Sequence, residues 1–316
     1  MKAIEVSAFG GPEVMHLIDR PDPIPGEKEE LIEVTAIGVN YSDTDRVANT
    51  FRVPQSIPLY PGLEVVGRTP SGRRVLASVT GGGYAQKAVA KMENMVDVPD
   101  GVSDEQALAM LVQGTTAWHI LKTVAHIQPG ESVVVHAAAG GVGTISVQLA
   151  KMWGGKVIAV TSSKEKSELA RSLGADVTVD SRSEDLQAAL LAANGGKPIN
   201  VILEMVGGKT FDDSLAVLAP FGRLVCFGSA SQTPATPIIP TALLTGSKIV
   251  AGFWLVNCFG NPALINDVVV ELFGLIKRGK LIPVIGEIFP LSQAPACHRA
   301  ILARATMGKV TLDPKR

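Results

Sequence analysis

Cysteine is scarce: the 316 residues contain three, Cys226, Cys258 and Cys297, with no CxxC pair. An odd number of widely spaced thiols argues against a disulfide framework and against a structural zinc lobe. Aromatic residues make up only 5% of the chain, and no uncharged apolar run approaches the ~18 residues a membrane-spanning helix needs. An excess of one charge sign is missing too. Lys and Arg number 29 against 30 Asp and Glu, a net charge of -1 without blocks of either sign, so binding of nucleic acid by phosphate neutralisation is not expected. Met1–Glu5 opens on a strand-like pattern rather than a signal peptide. These absences together predict a cytoplasmic protein with no membrane or nucleic-acid partner.

Glycine (32) and proline (20) are plentiful, and they punctuate the two parts of the chain differently. Up to about residue 110, turns at Gly10-Gly11-Pro12, Pro21–Gly26, Pro61-Gly62 and Gly81-Gly82-Gly83 separate short runs such as Leu31–Val39, Arg73–Val79 and Tyr84–Ala90. Several of these alternate apolar and polar residues, as half-buried antiparallel strands do. Beyond Pro129-Gly130, strands and helices alternate. Strands are predicted at Ser132–Ala137, Lys156–Val160, Asp176–Val179, Asn200–Met205 and Arg223–Phe227. Helices are predicted between them at Gly141–Trp153, Lys164–Leu173, Glu184–Ala193 and Thr210–Leu218. Apolar strands separated by helices imply a parallel sheet covered on both faces. Lys248–Leu255 reads as a further strand, Pro262–Lys277 as a helix, and the last 35 or so residues as short strands.

Where the first of these strands meets its helix stands His136-Ala137-Ala138-Ala139-Gly140-Gly141-Val142-Gly143. In the dinucleotide fingerprint G-x-G-x-x-G, Ala138 takes the first glycine's place, Gly140 the second and Gly143 the third. Gly140 lets the backbone approach a pyrophosphate, Gly143 lets helix and strand pack closely, and the N–H groups around Gly141 and Val142 face the phosphates. The alternative is a tight turn with glycines for packing alone. About 20 residues on, where an NAD site usually carries Asp or Glu for the ribose hydroxyls, this chain has Thr161-Ser162-Ser163-Lys164-Glu165-Lys166. Small hydroxyls and Lys166 suit a 2'-phosphate through charge-assisted hydrogen bonds, which points to NADP(H). Ser163 also suits the N-cap of the next helix.

Met1-Lys2-Ala3-Ile4, Phe9–Val14, Gly38-Val39-Asn40, Pro61–Glu64, Gly82–Ala85, Thr116-Ala117, Ala137–Gly143, Gln148–Lys151, Leu173–Asp176, Val206–Gly208 and Gly308–Val310 occur in the order and spacing of a known family. On these motifs the chain resembles the zinc-free quinone oxidoreductase branch of the medium-chain dehydrogenase/reductase superfamily. The resemblance implies an α/β architecture: a GroES-like antiparallel β-barrel catalytic domain, residues 1–112 and 257–316, into which a doubly wound Rossmann domain, residues 113–256, is inserted. It also implies no catalytic zinc, because relatives that use the metal have Cys where this chain has Asn40 and His where it has Leu63.

Without a Lewis acid, hydride transfer to a quinone or other enone-type carbonyl suits the chain better than oxidation of a simple alcohol, since charge spreads to an oxygen that hydrogen bonds stabilise. Asn40 is the candidate for donating to that oxygen, or for ordering a water beside it, the alternative being a turn residue after a strand. Thr116, in the family's Thr-Ala pair, is expected to position the nicotinamide, the alternative being a Thr that starts a helix. Asp43 and Asp45 are read as first-turn carboxylates serving a helix dipole. Relatives often place a tyrosine near Asp45 or Phe51. The proton donor is therefore open, and Tyr60 is a candidate replacement. Val206, Gly228 and Phe253 are expected beside the cofactor, and Tyr41, Phe51 and Trp254 beside the substrate.

The Gly252-Phe253-Trp254-Leu255 run is similar to one in 2-enoyl thioester reductases of the same superfamily, where that strand also joins two subunits, so a homodimer through Lys248–Leu255 is expected. An enoyl thioester reductase is thus the alternative enzyme. A weakly catalytic NADPH-binding structural protein is the alternative outside enzymology.

Overall fold

Six strands, all parallel, run through the middle of the chain: Ser132–Val135, Lys156–Thr161, Val177–Asp180, Ile199–Glu204, Leu218–Cys226 and Ile249–Gly252. Side by side they lie in the order third, second, first, fourth, fifth, sixth. This is the doubly wound Rossmann order, whose connections part to opposite faces between the first and fourth strands. Val133–Val135, Val157–Val160 and Val201–Leu203 are fully buried, because a parallel sheet is covered on both faces and rewards near-continuous β-branched and aliphatic runs. The covering helices are Gly141–Met152, Lys164–Ser172, Leu186–Ala193 and Gly208–Ala216. Ser163 and Asp185 cap the second and third of them, accepting from Lys166 N–H (3.3 Å) and Ala188 N–H (2.9 Å). Arg223 ties the fifth strand to the entry of the first, forking onto Glu131 with two 2.6 Å bonds and donating to Ala125 O.

The structure is a computed structural model describing residues 1–316, and it divides into two units, Thr116–Asn257 and Met1–Thr115 with Cys258–Arg316. The second unit is built on a seven-stranded, mostly antiparallel sheet. Its long central strand, Glu29–Val39, pairs along one side with Glu64–Arg68. Along the other it pairs with Lys87–Lys91 at its start and Lys309–Asp313 at its end, so the C-terminal strand lies beside Val39. Lys2–Val6 pairs with Met15–Asp19 in a separate ribbon.

Two features differ from what the sequence predicts. The tail contains a helix, Ala294–Leu302, which buries Ala294, Cys297 and His298; Pro295 in its first turn is compatible with a helix because that N–H needs no partner. This helix carries the crossover that lets Ile285–Pro290 pair parallel to Lys309–Asp313, so the sheet is not wholly antiparallel. The sixth strand of the Rossmann sheet ends at Gly252, leaving Phe253 and Trp254 beyond it. Around Thr116 the helix is irregular, with π-helical stretches at Met110–Gly114 and His119–Val124 flanking Thr115–Trp118.

Candidate active site

The expected phosphate turn leaves the first parallel strand at the switch point. Gly140 is the N-cap of the Gly141–Met152 helix, and its N–H donates to Ala137 O (2.8 Å), closing the turn. Ala138 N–H donates to Val160 O of the neighbouring strand. A Cβ on Gly143 would lie 2.3 Å from Ala137 O, so only glycine allows this approach of helix to turn. A Cβ on Gly140 would meet only Ala137 O, at 3.2 Å. The turn is thus held by its own backbone and presents a helix N-terminus whose N–H groups suit phosphate oxygens.

Behind the turn, buried His136 bonds through Nε2 to Ser214 Oγ (2.9 Å), and burial pushes its pKa down to about 4. A folded-state pKa below that of the unfolded chain means that stability is present at neutral pH and is lost as pH falls from ~6.5 towards 4. At full effect the loss is about 3 kcal/mol. Replacing His136 by Gln is expected to flatten the fall in unfolding free energy over that window, as read by urea denaturation at pH 7 and pH 5. An unchanged slope would mean that His136 does not titrate on unfolding.

The remaining cofactor candidates stand where the other parallel strands end. Thr161 closes the second strand with its hydroxyl bonded to Ser167 Oγ (2.7 Å); Ser162 and Ser163 follow, and Lys166 is half-buried in the first helical turn. No carboxylate occupies that strand end. Val206 sits after the fourth strand in a loop organised by buried Glu204, which accepts from Val206 N–H (2.7 Å) and Gly207 N–H (3.0 Å). Burial raises the pKa of Glu204. Gly228 follows the fifth strand, packed on Met205. Beyond the sixth, Phe253 stacks on His119 (5.7 Å between centroids, 29° between planes). His119 lies one turn after the buried Thr116, so this stacking brings the irregular helix to the same carboxyl edge.

In the other unit Asn40 ends the long Glu29–Val39 strand and begins the helix Tyr41–Val47. It belongs to a fully buried polar cluster drawn from four separate segments. Asn40 Nδ2 donates to Glu64 Oε1 (2.8 Å), and its Oδ1 accepts from Lys309 Nζ (3.2 Å). Lys309 also bonds Val39 O (3.2 Å) and forms an ion pair with Glu64 in which both side chains have 0% exposure. Glu64 accepts further from Val112 N–H of the first π-helical stretch (3.1 Å). Gly38 makes room, since a Cβ there would lie 2.4 Å from Glu64 Oε1. Asp43 accepts from Asn40 N–H (2.8 Å) and Tyr84 O–H (3.1 Å); burial pushes its pKa up to about 6. Asn40 is thereby held in one rotamer with its amide orientation set by a carboxylate on one side and an ammonium on the other.

Known proteins share this arrangement of chain. The zinc-binding dehydrogenase family matches residues 141–272. The quinone oxidoreductase of Pseudomonas aeruginosa is 35% identical, over 99% of this chain and 99% of its own. The chain belongs to the quinone oxidoreductase branch of the medium-chain dehydrogenase/reductase superfamily. The structure of Escherichia coli quinone oxidoreductase complexed with NADPH is similar at a TM-score of 0.93 and 31% identity, over 99% of this chain and 100% of that one. The Thermus thermophilus quinone oxidoreductase, solved alone and with NADPH, is similar at 0.89 and 36%, with the same coverage.

The structure places the other expected site residues of this quinone oxidoreductase relative less centrally. The Tyr60 hydroxyl donates to Glu5 Oε2 (2.6 Å) and its ring lies under the Arg20 guanidinium (4.0 Å), so its proton is engaged in a contact with the first strand. Phe51 is half-buried beneath the Arg46 guanidinium (4.3 Å), which also holds Gln55. Tyr41 is half-buried, its phenol raised by burial and by Asp45, and Trp254 is half-buried beyond the sixth strand. Glu64, Tyr84, Glu204, His298 and Lys309 were not among the expected site residues. Glu64, Tyr84 and Lys309 do lie in the family motifs, which is the one signal that pointed to them.

Proposed function

We propose that this chain is an NADPH-dependent reductase that passes hydride to a quinone or another conjugated carbonyl without zinc. The observation that supports the cofactor most directly is the second strand's end, where Thr161, Ser162, Ser163 and Lys166 stand in place of a carboxylate. The phosphate turn fits a pyrophosphate, because the space at Gly140 and Gly143 admits no larger side chain at the latter and leaves backbone N–H groups for the ligand. NADPH, when bound, supplies the hydride.

The protein's own residues then hold and polarise the acceptor. Asn40 would offer its second amide N–H to the oxygen that gains charge, and the Lys309 ammonium on its Oδ1 draws electrons through the amide and strengthens that donor. A divalent cation has no role beside Asn40 in this reading, since the buried ammonium already supplies the positive charge there, and no group of three or more His, Cys, Asp or Glu is arranged to hold a metal. Thr116 is the proposed positioning residue for the nicotinamide. An enoyl thioester acceptor is less favoured, because Phe51 has no hydroxyl and Arg46 covers its ring. The Ile249–Gly252 strand is the sheet's last, with Ile249 49% exposed, and we assign it to pairing with a second copy.

NADPH oxidation followed at 340 nm with a quinone and an enoyl thioester offered separately tests the proposal. Turnover of the quinone is the expected result; tight NADPH binding with turnover of neither would favour a structural protein. Replacing Lys166 by Glu is expected to weaken NADPH at least ~10-fold more than NADH, because one charge-assisted phosphate contact becomes a repulsion. Equal losses would remove Lys166 from the 2'-phosphate. Replacing Asn40 by Ala is expected to lower kcat ~100-fold with NADPH affinity nearly unchanged, the scale of one oxyanion donor. Wild-type kcat in that variant would reduce Asn40 to a helix cap.

A further inference from the structure

Beyond Asn40 the polar cluster continues inward. Asp43 Oδ2 accepts from Asn40 N–H and meets the Tyr84 hydroxyl, and that same hydroxyl meets His298 Nε2 at 3.0 Å. Asp43, Tyr84 and His298 are all buried, at 0%, 1% and 0% exposure. A phenol has one proton, so Tyr84 donates to Asp43 or to His298 and never to both. Two buried atoms at the ends of this chain, Asp43 Oδ1 and His298 Nδ1, have no hydrogen-bond partner. With Asp43 ionised, Tyr84 donates to it and accepts from His298 Nε2–H, leaving a bare Nδ1. With Asp43 protonated, Asp43 donates to Tyr84, Tyr84 donates to Nε2, and the histidine proton sits on Nδ1. A lone acceptor is tolerated better than a lone buried donor, so the ionised arrangement is the better satisfied at the histidine end. At the Asp43 end the order is reversed, because a charged oxygen without a partner is the more costly.

The geometry points to Asp43, Tyr84 and His298 forming a one-proton hydrogen-bond chain that positions Asn40, with every bond reversing direction when Asp43 takes up a proton. Net uptake is one proton, on Asp43; His298 exchanges its Nε2 proton for one on Nδ1 and remains neutral. The groups facing Asp43 allow this change. Glu64 and Lys309 come from two strands, Tyr84 from the loop before a third, Cys297 and His298 from the Ala294–Leu302 helix, and Arg46 from its own helix. Lys309 is already paired with Glu64, so Asp43 is the carboxylate left without a buried cation in direct contact. Burial moves Asp43 to about 6 and holds His298 neutral, down to about 4, which puts the reversal where both forms are accessible. Ionised Asp43 holds Asn40 N–H by a charge-assisted bond, and the neutral acid holds it less firmly.

Asp43 is on this account a positioning residue, and its effect on turnover rests on the reductase reading above. Quinone reduction consumes protons and gains from acid, whereas this chain makes kcat fall about tenfold from pH 7 to pH 5, following one ionisation near 6. Asp43→Asn should remove that limb and leave a low kcat that no longer falls between pH 7 and pH 5. Nitrogen-15 NMR of the histidine rings in the intact protein reads the chain without turnover. His298 should pass from the Nε2–H to the Nδ1–H tautomer as pH falls through 6, and Tyr84→Phe, which keeps the ring, should leave its tautomer insensitive to pH. One His298 tautomer from pH 5 to pH 8 in the wild type, or a tautomer change that survives Tyr84→Phe, would overturn the inference. Absence of turnover with every acceptor would instead count against the reductase, with the tautomer titration still deciding the chain.

Discussion

Replacing Lys309 by Met is expected to lower the unfolding free energy by about 3–5 kcal/mol, the range found when one member of a buried ion pair is removed. Lys309 and Glu64 have no exposed side-chain surface. The ammonium's three protons are used on Glu64, Asn40 Oδ1 and Val39 O, so the variant takes a donor from three acceptors, and the Glu64 charge keeps only the neutral N–H groups of Asn40 Nδ2 and Val112. It also leaves Glu64 and Asp43 as two carboxylates in one buried cluster with no cation touching either. Met retains most of the stem's volume, which separates loss of charge from loss of packing. The double variant Lys309→Met, Glu64→Gln should recover a large part of the loss, since the stranded charge goes with the second change. Urea denaturation at pH 7 measures both. A single-variant loss below ~1 kcal/mol, the size of an exposed pair, would mean that the pair is hydrated and that Asn40 is not held as described.

That pair shows what could be read from the chain in advance and what could not. The Rossmann unit is legible because its signals are local: Val133–Val135 is a buried strand in any parallel sheet, Gly140 and Gly143 mark the turn, and Ser163 caps the helix after it. The family resemblance carries the same information into the other unit, Met1–Thr115 with Cys258–Arg316, where local signals are weaker. Lys309 and Glu64 are 245 residues apart, and Tyr84 and His298 are 214 apart. What joins them is register: Val310 pairs with Val39, which puts Lys309 beside Asn40, and no periodicity in either segment states that partner. Asp43 looked like a first-turn carboxylate and is one, accepting from Asn40 N–H, so its local role concealed its contact with Tyr84. The Ala294–Leu302 helix is not legible in the sequence, because Pro295 and a short apolar face resemble a turn before a strand. Tyr60 is a hydroxyl near a motif, which makes it a candidate in sequence, whereas its partner Glu5 lies 55 residues earlier on another strand.

Changing Gly143 to Ala and changing Gly140 to Ala are expected to fail in different ways, although both add one methyl group to the same turn. At Gly143 the new carbon would lie 2.3 Å from Ala137 O, 2.7 Å from Ala138 Cα and 2.8 Å from Ala138 C. All three are backbone atoms of a turn already fixed by Gly140 N–H to Ala137 O and Ala138 N–H to Val160 O, so relief requires the helix to move off the sheet. Overpacking of this kind costs about 1–3 kcal/mol. The displaced helix also withdraws its N–H groups from the pyrophosphate, so NADPH affinity should fall ~100-fold or more, the worth of two lost charge-assisted bonds. At Gly140 the added carbon meets a single oxygen at 3.2 Å, which a shift of a few tenths of an ångström accommodates. The Gly140 backbone is extended, with φ at -78°, so alanine carries no conformational penalty there. Stability without cofactor should therefore stay within about 0.5 kcal/mol of the wild type, while the methyl group stands where the pyrophosphate would approach and weakens NADPH alone. Thermal melts without cofactor, paired with NADPH titration by fluorescence, separate the two. If both variants melt like the wild type, the close approach of helix to turn is not enforced by Gly143. If Gly140→Ala binds NADPH normally, the second glycine of the fingerprint does not face the pyrophosphate, and the orientation proposed for the cofactor on this edge is wrong.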